Sequence, residues 1–438
     1  MDNVKQYLNQ VENEMISALI DLVKQESTKK NETHQYPFGK DIHNVLNYFS
    51  DLVKVFNFDR YFRHEDYYSW VEIGDPELPL IGIVCHIDVV NYVKEDWKYN
   101  PHGELIDDII YGRGVVDNKG PIIQILYAMQ YIKQNNIPLR IRLIIGADEE
   151  KDFKCVKKYI ENKEEMPDYG FIPDAKFPFI ISEKGLLNMT VSFDEEHLGV
   201  PIESIKGGTG TNITPNYSEM ILKNGDVITA EGIAAHVANP SVGDNAIISM
   251  IRKVEEEYEK NSFIDKFMRV IHDNYLAFIV NEEEIIVKPT FIEKKNQRIE
   301  ITFDTRIPVD LPTEKAKRYI LDYFGFDEES IERINQADGY EYSKDHPVIE
   351  VVSQVYEDSI HLLRPDHKTE KPLRIAGTTY GKYFRNCIVF GPGFPDEHSY
   401  AHREDERIRV KSFMDGTYIY IKLLEELGKR SGEIEERL

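Results

Sequence analysis

PLIGIVCH, residues 79–86, is a short apolar run opened by a proline and closed by a histidine. A run of that length, with no alternation, reads as a strand buried on both faces. LRIRLIIGA (139–147) has the same character and ends against Asp148-Glu149-Glu150. YGFIPDAKFPFII (169–181) follows as a third strand-like piece and leads to Glu183-Lys184-Gly185. Helical spacing lies between and around them. Residues 1 to about 28 carry Val4, Leu8, Val11, Met15, Leu19 and Leu22, and about 121–134 carries Ile122, Ile125, Leu126, Met129 and Ile132. Strands alternating with helices predict an α/β layer with a mainly parallel mixed sheet flanked by helices. In such sheets the polar residues just past the strand ends are where ligands bind.

The texture changes after about residue 187. LNMTVSFD (187–194), YSEMILK (217–223) and DVITAEG (226–232) alternate as half-buried strands. EIIVKPTFI (284–292) and RIEITFDTR (298–306) are again strand-like, with helices expected at about 245–258 and 313–323. This is the pattern of an inserted α+β domain. From about His346 a buried helix, VIEVVSQVY, and an apolar strand, CIVFGPG, return to the first texture. The expected organisation is a discontinuous domain of residues 1–186 and 344–438, with an inserted domain of 187–343.

Acidic residues outnumber basic ones, 77 to 53, for a formal charge of −24. That field repels phosphate backbones and anionic membranes, so neither nucleic acid nor membrane is expected as a partner. Cys85, Cys155 and Cys387 form no CxxC pair and no disulfide framework. Together with a polar N-terminus lacking a basic-then-apolar leader, they point to a reducing cytoplasm. No apolar run is long enough to span a bilayer.

Groups that could grip divalent cations stand at five places: His86-Ile87-Asp88, Asp117 in GRGVVDNKG, Asp148-Glu149-Glu150, Asp174 in IPDAKFP, and His402 in EHSYAHREDER. Each follows an apolar run or sits in a Gly/Pro loop. Singly, an HxD or a DEE is more often a solvated turn. Jointly they offer the imidazoles and carboxylates that such ions favour. Residues two apart on an extended chain face one side, so Asp88 could steady a ligating His86. A dinuclear site takes about five ligands with one bridging carboxylate, and of two adjacent glutamates one can face the ions while the other moves a proton. His398 competes with His402. His197, His361 and His367 have no motif around them and are expected at the surface. Asp107-Asp108 reads as a turn, and Glu397 receives no role.

HID, YGRGVVDNKGP, DEE, PDA, EKG, GIAAHVANPSVGDNA, DTRIP, GTTYGK and AHREDE run in one order over nearly the whole chain. In these motifs the sequence resembles the co-catalytic dinuclear metallopeptidases that include aminoacylase, carboxypeptidase G and succinyl-diaminopimelate desuccinylase. GGTGTNITPNYSEM (207–220) stands before GIAAHVANP, an order similar to that of PepV-like bacterial dipeptidases. The resemblance implies that His86 and Asp174 hold one metal, Glu150 and His402 the other, and that Asp117 bridges. It implies Glu149 as general base to a metal-bridging water, Asp88 as the partner of His86, and His236 as the lid histidine facing the oxyanion. It further suggests Asn212, Gly377, Thr378 and Thr379 as substrate contacts. Arg306 in DTRIP is the natural guanidinium for a terminal carboxylate, and an ion pair within the inserted domain competes with that use.

The expected activity is hydrolysis of dipeptides or very short peptides. Deacylation or desuccinylation of N-acyl amino acids at the same centre, and metal-dependent binding without catalysis, are the alternatives. Two divalent ions are expected, Zn²⁺ first, with Mn²⁺ or Co²⁺ also suited to these ligands. The PepV-like order implies a monomer, with a homodimer as the alternative.

Overall fold

The computed structural model describes residues 2–30, 32–210, 213–234, 243–258, 261–272, 285–343, 345–368 and 370–438. The chain divides into two compact units. One comprises Met1–Ile181, Tyr342–Leu373 and Thr379–Leu438, and the other Ser182–Glu341 and Arg374–Thr378.

The first unit is built on a six-stranded mixed sheet. Its order is Arg60–His64, Tyr68–Ile73, Arg140–Gly146, Leu80–His86, Tyr169–Ile172 and Cys387–Val389. The last four strands are parallel, with Leu80–His86 between Arg140–Gly146 and Tyr169–Ile172. Every residue of these four is buried, which is why they read as unbroken apolar runs. Tyr68–Ile73 and Arg60–His64 extend the sheet antiparallel. Helices Asn3–Val23, Lys119–Gln134, Val410–Lys429 and Pro347–Leu363 pack against one another, and Lys119–Gln134 also packs on the sheet. The last turn-forming expectation is met at Asp107-Asp108. Both adopt positive φ (47° and 60°) between Glu104–Ile106 and Ile109–Tyr111, the conformation of a two-residue hairpin turn.

Register sets the site. His86 lies opposite Gly146 in the parallel ladder, so the chain beyond each strand emerges at the same edge. Tyr169–Ile172 is the neighbour on the other side, and Asp174 follows two residues past its end. Gly146 must lack a side chain, because a Cβ there would meet the buried Tyr380 hydroxyl at 2.0 Å.

The second unit holds a seven-stranded antiparallel sheet. Its order is Val227–Glu231, Tyr217–Leu222, Ile202–Gly207, Ile286–Lys295, Arg298–Ile307, Gly185–Asp194 and Ile331–Ala337. Helices Ala246–Glu257, Ser262–His272 and Thr313–Phe324 supply the rest of its apolar core. Asn245 caps the first of these, accepting from the amides of Ile247 and Ile248. His197 is half-exposed, its ring packed against Phe193, Phe263 and Phe326 and its Nδ1 3.1 Å from the Asp194 carbonyl. Arg374–Thr378 falls in this unit rather than with 344–438. The Arg306 guanidinium donates to the Ala376 carbonyl (2.9 Å) and to Thr378 Oγ1 (3.1 Å), drawing that segment to the strand Arg298–Ile307. Among the described residues, no helix is long and apolar enough to cross a membrane.

Candidate active site

Three adjacent parallel strands of the first unit end in His86, in Asp148-Glu149-Glu150 and in Pro173-Asp174. Two loops add Asp117 and His402. Of these, His86, Asp117, Glu149, Glu150, Asp174 and His402 meet. His86 Nε2 lies 2.8 Å from Asp117 Oδ1 and 3.4 Å from Asp174 Oδ1. His402 Nε2 lies 3.0 Å from Asp117 Oδ2 and 3.1 Å from Glu150 Oε1. Asp117 therefore turns one carboxylate oxygen to each imidazole. Ligand atoms of His86, Glu149 and Asp174 fall within 4.8 Å of one another, as do those of His86, Asp117 and Glu150.

Asp88 organises the group from behind. Its carboxylate accepts from the amides of Glu149 (3.1 Å) and Glu150 (3.0 Å), and its carbonyl lies 3.0 Å from His86 Nδ1. Contact through Nδ1 turns His86 Nε2 toward Asp117 and Asp174. Asn118 donates to the Pro173 carbonyl and to Asp174 Oδ1. Asp148 faces away and pairs with Lys29 at 2.8 Å. His402 sits at φ +63°, a conformation uncommon outside glycine and the small polar residues. His398 is placed elsewhere, against Arg403 Nη1 and the Tyr400 ring.

Glu406 is a residue that pattern reading passed over. Fully buried, it accepts from Arg113 Nη1 (2.7 Å) and from the amides of Gly114, Val116 and Asp117. It thereby shapes the loop that presents Asp117, with Gly114 taking φ +93°. The only local signal is the surplus of acids after His402.

The electrostatics are those of an acid-rich, dry cluster. Burial pushes the Glu149 carboxyl well above the usual range, and Asp174 adds to this while His86 opposes it. Burial also raises Asp174, to about 6, against the pull of His86. Asp117 goes the other way: burial would raise it, but His402 and His86 together hold it far down. Glu150 first, then Asp117, favour the charged form of His402. Five carboxylates (Asp88, Asp117, Glu149, Glu150 and Asp174) thus crowd two imidazoles, with no Lys or Arg side chain hydrogen-bonded to any of them among the described residues. Hard or borderline divalent cations fit this donor set and would balance its charge.

In the second unit, Arg306 is buried and bound in a fork by Asp304, Nε to Oδ1 at 2.7 Å and Nη2 to Oδ2 at 2.9 Å. With Ala376 and Thr378 also engaged, four of its five N–H groups are committed among the described residues. Gly377 lies in the segment that Arg306 holds. Asn212 and His236 lie outside the described residues.

The model of peptidase family M20/M25/M40 matches residues 82–426. "Putative dipeptidase YtjP" of Bacillus subtilis (strain 168) is 27% identical, over 90% of this chain and 92% of that protein. Among solved structures, the di-peptidase Dug1p from Saccharomyces cerevisiae superposes with a TM-score of 0.62 at 11% identity, covering 97% of this chain and 98% of that one. Human carnosine dipeptidase 1 superposes with a TM-score of 0.61 at 15% identity, covering 97% and 99%. At such identities the structural likeness speaks for the fold.

Proposed function

The chain belongs to peptidase family M20/M25/M40, a family of metal-dependent hydrolases, and from that premise we propose that it hydrolyses the peptide bond of dipeptides or very short peptides. The observation that carries this reading is the Asp117 carboxylate shared between two imidazoles, with Glu149 beside it. The dipeptidase names of its relatives support the substrate class.

In this reading His86 and Asp174 would hold one divalent cation, Glu150 and His402 would hold the second, and Asp117 would serve both. Such ions supply Lewis acidity toward a carbonyl and acidify a water. Among the described residues no hydrogen-bond donor reaches the Glu149 carboxylate. That leaves it to take the proton of the attacking water and return it to the leaving amine. Asp88 fixes the backbone of Glu149 and Glu150, so the base and one ligand keep their spacing. Segment 187–343 would serve as the lid domain, and His236, outside the described residues, is the proposed partner of the developing oxyanion. Arg306, braced by Asp304 and bonded to Thr378, is the proposed holder of the terminal carboxylate, and Gly377 and Asn212, the latter outside the described residues, are proposed substrate contacts. Zn²⁺ suits imidazole and carboxylate ligands without thiolate, and Mn²⁺ or Co²⁺ also do. The three cysteines are buried and unpaired, in keeping with a reducing cytoplasm. A monomer is expected, which light scattering reads directly against the 51.0 kDa chain mass.

The test is turnover by chelated protein with one metal restored at a time, on dipeptides and on acetylated and succinylated amino acids. Chelated protein should be inactive, and Zn²⁺, Mn²⁺ or Co²⁺ should restore dipeptide cleavage above cleavage of the acyl amino acids. Cleavage of acyl amino acids alone would assign the centre to deacylation instead. Asp88→Asn should weaken metal binding by about 10–100-fold, the range for partners behind the ligands. Competition with a chromogenic chelator measures this, and unchanged affinity would remove Asp88 from the site.

A further inference from the structure

We propose that segment 25–29 positions the candidate metal centre from behind, and that Lys29 sets the place of Glu149 by acting through Asp148. The inference rests on the dipeptidase reading for the role of Glu149. The segment follows helix Asn3–Val23 and touches three of the loops that carry candidate ligands. From the loop of Asp117, the buried Lys119 ammonium donates to the Gln25 carbonyl at 2.6 Å. Beyond His86 and Asp88, the Val89 amide donates to the Ser27 carbonyl at 3.1 Å, and Thr28 forms a parallel bridge with Val89. At the turn Asp148-Glu149-Glu150, Lys29 Nζ lies 2.8 Å from Asp148 Oδ1.

That turn is gripped at both ends. Asp88 takes the amides of Glu149 and Glu150. At the other end the Asp148 carboxylate accepts from Lys29 Nζ and from the Lys154 amide (3.0 Å), and its carbonyl accepts from the Phe153 amide (2.9 Å). Among the described residues Lys29 is the only charged donor to Asp148. The Asp148 side chain is fully buried and that of Lys29 is nearly so. Lys29 also meets Glu32 at 3.0 Å and Asp152 at 3.3 Å, and its ammonium lies 5.1 Å from the centre of the Phe38 ring. Its reach is therefore fixed from several sides. Burying an ion pair gains little stability, because desolvation offsets the attraction. What this pair gains is place, since it holds the residue joined by a peptide bond to the base. Neither Lys29 nor Asp148 faces the ligand cluster, so both are positioning residues. Displacing a reacting group by about 1 Å costs about 10²-fold in rate.

The experiment compares metal-loaded wild type with Lys29→Met, Asp148→Asn and Lys154→Met. It reads kcat and KM on a good dipeptide and the visible absorption bands of the Co²⁺-loaded protein. Lys29→Met should lower kcat by about 10–10²-fold with KM little changed. It should also shift the Co²⁺ bands, because Glu150 moves with Glu149. Asp148→Asn should do the same from the other partner, which keeps the test decisive if Lys29→Met does not fold. The double change should cost no more than the larger single one. Lys154→Met removes an ammonium that meets Glu32 (3.6 Å) and Asp152 (3.8 Å) and leaves the grip on Asp148 intact. It should match wild type in both readouts. Wild-type kcat and Co²⁺ bands in folded Lys29→Met, with only a lowered unfolding midpoint, would overturn the proposal. So would an equal loss in Lys154→Met, which would assign the effect to the charge of that surface. A wild type inactive on every dipeptide would sink the dipeptidase reading, and the Co²⁺ bands would then decide the positioning role alone.

Discussion

Glu149→Gln should keep both metal positions filled and lower kcat by about 10²–10⁴-fold, the span attributed to a positioned general base. The substitution retains size and shape and removes only the ability to accept a proton. Glu149 is buried, and its amide, not its carboxylate, is the group Asp88 holds. The amide bond to Asp88 survives the change, so the neighbouring Glu150 keeps its place. The checks are metal content by elemental analysis and kcat on a good dipeptide. Near-normal turnover at full metal occupancy would remove Glu149 from the role of base. Loss of metal together with turnover would make it a ligand, a use its place in the cluster with His86 and Asp174 would allow.

The largest effect on stability is expected at Glu406. Its carboxylate receives four donors, Arg113 Nη1 and the amides of Gly114, Val116 and Asp117. Glu406→Ala leaves a buried guanidinium without its counter-charge and three amides without an acceptor. Removing one member of a buried ion pair costs about 3–5 kcal/mol. Denaturant unfolding should show a loss of that size. Arg113→Ala combined with Glu406→Ala should cost less than the sum of the single changes, because neither charge is then stranded. Additive losses would mean that the pair does not act as a unit. Metal affinity should also fall, since the loop carries Asp117.

Much of this architecture is legible in local pattern. PLIGIVCH and LRIRLIIGA are strands buried on both faces, and their apolar runs say so without any partner in view. Acids and imidazoles placed just past such strands converge because parallel strands end at one edge, and His86, Glu150 and Asp174 do so. The antiparallel extension by Arg60–His64 and Tyr68–Ile73 was not legible. Its residues are polar and aromatic, and Glu72 is buried only because Arg60, Arg140 and Arg142 surround it. Local sequence cannot announce an ion cluster assembled from distant strands. The same holds for Glu406, whose donors lie about 290 positions earlier. The bracing of Arg306 by Asp304 lay within two residues on one strand face, where alternation made it foreseeable.

One carboxylate, that of Asp88, grips two successive peptide nitrogens while its own carbonyl meets the imidazole of His86. Proton acceptor and cation holders are therefore levers on a single pivot. Retuning this centre one residue at a time will shift several distances together, and paired substitutions will give answers that their separate effects do not foretell.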